Sequence, residues 1–131
     1  MHPWPWHGAL KTKAAISRRG FSTCSGAEAL APAIWPLELV NALLMAERRK
    51  RITVAQVTAL LRRIAGLPIS VDPTRLGHAF DQIPSVARQQ NLTAYDAAYI
   101  ELGLRAALPL ATLDRRLRQA AGRVGITLVA I

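Results

Sequence analysis

From Ala29 onward the chain alternates short apolar runs, too brief to be helices, with longer stretches of helical spacing, and this alternation limits the fold more than any other feature. Ala29 to Trp35 is extended, because Pro32 and Pro36 hold the residues before them out of the helical region. Pro36 then suits the first turn of a helix reaching about Arg48. Its residues Leu37, Leu39, Val40, Leu43, Leu44 and Met45 leave almost no polar face, so it is expected to be largely buried. Thr53 and Gln56 have the capping-box spacing and open a helix with the apolar stripe Val57, Leu60, Leu61 and Ile64, which Gly66 and Pro68 close. Leu67 to Val71 reads as a short strand. Asp72 to Thr74 starts a further helical stretch, which Pro84 breaks or kinks before it resumes to about Gln90. Thr93 caps a helix from Ala94 to about Ala106, and Pro109 to Leu113 is a brief buried strand. Asp114 opens the last helix, Gly125 closes it, and Ile126 to Ile131 is β-rich. Strands separated by helices imply an α/β domain with a parallel sheet and short crossovers.

Residues 1 to 27 read differently. They contain no acid at all, the first carboxylate being Glu28, and no apolar period runs beyond Ala14-Ala15-Ile16. This segment is expected to be disordered or loosely docked, with one folded domain over residues 28 to 131. Its acid-poor, Arg- and Ser-containing composition faintly resembles a transit peptide. His2, His7 and Cys24 match no recurrent zinc spacing. Cys24 is the only cysteine, so an internal disulfide is excluded and a reduced cytoplasm is the expected compartment.

Seventeen Lys and Arg against eight Asp and Glu give a formal charge of +9, which suits an anionic partner: nucleic acid, a membrane surface or an acidic protein segment. The cations cluster at Arg48-Arg49-Lys50-Arg51, at Arg62-Arg63 and at Arg115-Arg116 with Arg118. A basic surface that only keeps the protein in solution is the plainer alternative. No apolar run approaches the length of a membrane span, so no membrane association is expected.

Among so few acids, those at element boundaries matter most. Glu38 and Asn41 are the polar exceptions in an apolar helix, and burying them unpaired would cost several kcal/mol, on the order of the penalty for unsatisfied polar groups. They face a cleft, a ligand or each other, or else Glu38 simply meets the helix dipole. Asp96 and Asp114 sit at the starts of two later helices, either as caps or as members of a metal-binding acidic cluster. In a parallel sheet the helix following a strand starts at that strand's carboxyl end, where ligands usually bind, which puts Glu38 and Asp114 at one edge. Asp96 follows a helix, so its place there does not follow from this reasoning. His78 is read as a surface or packing histidine.

Three blocks, Ala31-Pro32-Ala33-Ile34-Trp35-Pro36-Leu37-Glu38-Leu39-Val40-Asn41-Ala42-Leu43, Tyr95-Asp96-Ala97-Ala98-Tyr99 and Ala111-Thr112-Leu113-Asp114-Arg115-Arg116-Leu117, resemble PIN-domain ribonucleases of the VapC toxin type. The resemblance runs from about Glu28 to the end of the chain. It implies a small PIN-like α/β/α sandwich with a short parallel sheet. It makes Glu38, Asp96 and Asp114 three of the usual four metal-holding acids, for Mg2+ or Mn2+, with Thr112 steadying the site and Asn41 auxiliary to it. The implied reaction is hydrolysis of an RNA phosphodiester by a metal-bound water. A protein antitoxin is the implied partner, and homodimers are common in the family. This chain departs from the pattern at its start, where the family's first strand ends in an acid and residues 1 to 27 have neither that strand nor that acid. A shifted reading frame upstream of Glu28 would explain the switch, and sequencing the encoding DNA for an acid-containing strand in another frame tests it. Two alternatives accompany the nuclease: a catalytically defective remnant that still binds antitoxin or RNA, and a basic interaction module in which the acids are only caps.

Overall fold

Side-chain caps set three helix starts in the computed structural model, which describes the backbone of Ala15–Ser17 and residues 29–129. Thr53 Oγ1 accepts from the Gln56 N–H at 3.1 Å while the Thr53 N–H donates to Gln56 Oε1 at 2.8 Å, the complete capping box of α2 (Val54–Ala65). Thr93 Oγ1 accepts from the Asp96 N–H at 3.1 Å and starts α4 (Ala94–Ala106). Asp114 does the same for α5 (Arg115–Val124), which ends on Gly125 in the left-handed region at φ 80°. Helix α1 (Trp35–Arg48) has no side-chain cap and begins instead on Pro36.

Pro84 does not interrupt its helix. A π-helical turn over His78–Gln82 leads directly into α3 (Ile83–Gln90), the Ile83 N–H donating to the His78 carbonyl five residues back. Widening the turn is one way to accommodate a ring that has no N–H and that crowds the carbonyl four residues earlier.

The sheet contains β1 (Ala15–Ser17), β2 (Ala29–Pro32), β3 (Ile69–Asp72) and β4 (Leu110–Ala111), in the order β3-β2-β1-β4. Strands β2 and β3 are parallel, with Ala29 opposite Ile69 and Pro32 opposite Asp72. β1 is antiparallel to both β2 and β4, so β2, β3 and β4 all run the same way. A parallel bridge from Leu110 to Leu128 brings the C-terminal segment beside β4. The architecture is the expected PIN-like α/β fold, but the central slot of the sheet, expected to lack a strand, is filled by β1 running antiparallel to its neighbours. A strand there satisfies backbone groups of β2 and β4 that would otherwise face an open gap. The expectations for the rest of residues 1 to 27, including His2, His7 and Cys24, fall outside the described residues. β3 starts at Ile69 and not at Leu67, because the Leu67 N–H is still occupied in closing α2 onto the Ile64 carbonyl.

Helix α4 is the most enclosed element, with every residue from Asp96 to Gly103 buried. Tyr99, Ile100 and Leu102 pack with Leu30 of β2, Leu110 of β4, Leu117, Ala120 and Ala121 of α5 and Ile126. Helices α1 and α2 share a second core of Leu39, Leu43, Ala46, Ile52, Val57 and Leu60. α1 is less buried than its composition suggests, since Leu37 is 67 % exposed and Asn41 also faces solvent. Among the described residues no helix is long and apolar enough to cross a membrane.

Candidate functional site

Because β2, β3 and β4 are parallel, their carboxyl ends share one edge, and the first turn of α1 rises from it after β2. That turn carries Glu38, whose Oε1 accepts a hydrogen bond of 2.7 Å from the Tyr99 hydroxyl on α4. Asp96 lies three residues before Tyr99, on the same face of the helix, and is 7 % exposed. Burial, the hydrogen bond to Glu38 and the charges of Glu38 and Asp96 hold the Tyr99 phenol far above its ordinary pKa of 10.0. Tyr99 is therefore a neutral donor on which two carboxylates from separate elements bear.

Asp114 is placed differently. Its Oδ1 accepts from the Leu117 N–H at 3.0 Å, and its own N–H donates to Thr112 Oγ1 at 3.0 Å. Thr112 is 2 % exposed, and its carbonyl accepts from Arg118 Nη1 at 3.0 Å. Asp114 is thus a helix cap. Asp96 is not, because Thr93 fills that role for α4. Asn41, one turn beyond Glu38, is exposed and hydrogen-bonds to neither acid.

Among the described residues, no group of three or more His, Cys, Asp or Glu stands close enough together to hold a metal ion. Glu38 is held by the Tyr99 hydroxyl, Asp96 acts on that hydroxyl through its charge, and Asp114 does not complete a three-ligand cluster with them. Nor do Ala15, Ile16 and Ser17, the residues of the central strand, include a carboxylate. Carboxylates are the donor type that magnesium and manganese take, through one or two such groups while keeping several waters.

The sequence offered Tyr99 only as the last residue of the Tyr95–Tyr99 block; its spacing of three from Asp96 was the available signal. Sequence reasoning also passed over Glu101, which is 5 % exposed. Arg105 Nε donates to Glu101 Oε1 at 2.8 Å, Arg105 Nη2 donates to Asp72 Oδ2 at 2.8 Å, and His78 Nδ1 stands 3.5 Å from Glu101 Oε1. This network ties β3, the π-helical turn and α4 together beside a cavity of about 670 Å³. Both acids are engaged by Arg105, so the network reads as a brace between elements.

No family model matches the chain. Ribonuclease VapC3 of Mycobacterium tuberculosis, from each of two strains, is 36 % identical to it over 90 residues, which is 69 % of this chain and 63 % of the relative. The match thus spans less than two thirds of the relative's length. Among solved structures, PAE2754 from Pyrobaculum aerophilum superposes with a TM-score of 0.54 at 25 % identity, covering 78 % of this chain and 68 % of that one. In sequence the chain is similar to a VapC-type ribonuclease, and it shares its PIN-like fold with that solved structure.

Proposed function

We propose that the protein is a metal-dependent endoribonuclease, the toxin of a type II toxin–antitoxin pair acting in the cytoplasm. The observation that carries this reading is the Tyr99 hydroxyl holding Glu38 at the carboxyl edge of the sheet, with the buried Asp96 one helical turn before Tyr99, in a chain similar to a ribonuclease. Glu38 and Asp96 would hold Mg2+ or Mn2+, and Tyr99 would orient Glu38 by donating to one of its oxygens. A bound divalent ion supplies a more acidic water and neutralises charge on a phosphate. Asp114, held by Thr112 and by the first turn of α5, would act from the rim, on ordered water around the ion. The surplus of cations supports an RNA substrate and an antitoxin that covers a basic surface with acidic or aromatic residues.

A second reading is the catalytically defective remnant that binds RNA or antitoxin without cutting. It is favoured by the acid-free central strand and by the absence of a three-ligand cluster among the described residues. One experiment separates the two: incubation with single-stranded RNA in magnesium or in a chelator, for the parent chain and for Asp96→Asn. Magnesium-stimulated cleavage that is lost in the variant supports the nuclease. Cleavage unchanged in Asp96→Asn overturns it, and salt-sensitive RNA binding without turnover supports the remnant.

A further inference from the structure

A second recess is lined by side-chain amides and guanidinium groups. The recess, about 480 Å³, lies between the end of α3 and one face of α5. Gln89, Gln90 and Asn91 line it from the α3 side, and Arg116, Gln119 and Arg123 from α5. Among the described residues its lining contains no carboxylate.

The placement follows from helix geometry. Arg116, Gln119 and Arg123 are spaced three and seven residues apart, so they form one stripe of about 10 Å along α5 at 1.5 Å per residue. Leu117, Ala120 and Ala121 take the buried face of the same helix. The stripe begins two residues after Asp114. On the other side, Asn91 is the left-handed C-cap of α3, at φ 52°, and only Leu92 and Thr93 separate it from the helix that carries Asp96. The recess therefore opens beside the starts of both helices that carry the candidate acids.

Arg123 Nε donates to Gln90 Oε1 at 2.7 Å, which fixes the far end of the recess. Arg116 makes no hydrogen bond or ion pair among the described residues, and its guanidinium stands exposed at the near end. Side-chain amides both donate and accept, which is what the edge of a nucleobase requires, whereas guanidinium groups take phosphate oxygens. An acid-free wall of three glutamines, an asparagine and two arginines suits an anionic ligand that also presents donor and acceptor edges. A protein segment rich in acids would use the arginines and leave the amides without matched partners.

We infer that this recess is a subsite for one unpaired nucleotide of an RNA strand next to the phosphate at the acidic edge. Arg116 takes its phosphate, and Gln119 with the Gln89 and Asn91 amides reads its base. This rests on the nuclease reading for the identity of the strand, and it adds a position at which base preference arises. A base can enter only if it is unstacked, so the subsite selects single-stranded loops or ends over duplex.

The test uses the full chain with Arg116→Ala and Gln119→Ala combined. Both are exposed helix positions where alanine is a better helix former, so the fold is retained. Binding is measured by fluorescence anisotropy on short single-stranded RNAs that differ at one position, in the Asp96→Asn background, across a salt series. Cleavage of the same RNAs is measured in the unmodified background. The subsite predicts at least tenfold weaker binding, loss of base preference at one position, and a salt dependence shallower by about 0.7 in log–log slope for the lost phosphate contact. If the parent cleaves RNA and the double variant matches it in affinity, salt slope and base preference, the subsite is wrong and the nuclease reading stands. If the parent binds RNA through these residues without cutting it, the subsite stands and the nuclease reading falls. A parent chain that neither binds nor cleaves RNA overturns both.

Discussion

Tyr99→Phe removes one oxygen and leaves the ring, so it isolates the bond that joins α4 to Glu38. Tyr99 is fully buried and its hydroxyl meets Glu38 Oε1 at 2.7 Å. Phenylalanine keeps the ring's packing, so no large cavity term enters. What is lost is a hydrogen bond to a charged acceptor, about 1.5–3 kcal/mol. Glu38 is half-buried and water can replace part of the bond, so the expected cost is at the lower end, roughly 1.5 kcal/mol. For a folded unit of this size that lowers the melting temperature by roughly 5–7 °C. Urea unfolding followed by circular dichroism measures it, with Glu38→Gln and the double variant completing a cycle. The cycle should give a coupling of about 1 kcal/mol or more. Zero coupling would refute the reasoning, as would a loss in Tyr99→Phe as large as the ~3–5 kcal/mol expected for removing a whole aromatic side chain.

Two further outcomes follow from the same geometry. Tyr99 has its folded-state pKa raised above the ordinary 10.0, so its contribution is complete below that pH and is lost as pH rises, because the unfolded chain releases the proton first. Stability should therefore fall above about pH 10 by up to about 1.4 kcal/mol per pH unit, and unfolding curves of Tyr99→Phe should lack that component. Arg105→Met removes the partner of both the buried Glu101 and Asp72; with the guanidinium partly exposed, the expected cost is about 2 kcal/mol, and Glu101→Met in the same chain should recover part of it in thermal melts.

Much of this fold was legible because its boundaries are local chemistry. Thr53 with Gln56, Thr93, Asp114 and Gly125 act on backbone groups within a few residues, and each does what its spacing implied. The π-helical turn was not legible: Pro84 says that something must give, but not whether the helix breaks or widens. Nor was β1, since three residues without a pattern carry no sign of direction, and the slot between β2 and β4 exists only in the assembled sheet. The candidate site divides in the same way. Thr93 was readable as the cap of α4, but whether Asp96 and Asp114 also capped was open, and the structure gives that role to Asp114 alone. The Glu101 and Arg105 pair was visible as an i, i+4 spacing, whereas their link to Asp72 spans 33 residues and depends on how β3 meets α4. The spacing of Arg116, Gln119 and Arg123 was likewise readable, but not the approach of α3 that turns a stripe into a recess.

The central claim is that the carboxylates around Tyr99 bind a divalent ion although the central strand brings no acid to them. Titration of magnesium or manganese into the full chain, read by calorimetry beside Asp96→Asn, tests this most directly. Saturable binding at micromolar to millimolar concentration in the parent, abolished in Asp96→Asn, is the predicted result. No binding by the parent, or binding identical in the two chains, would contradict it.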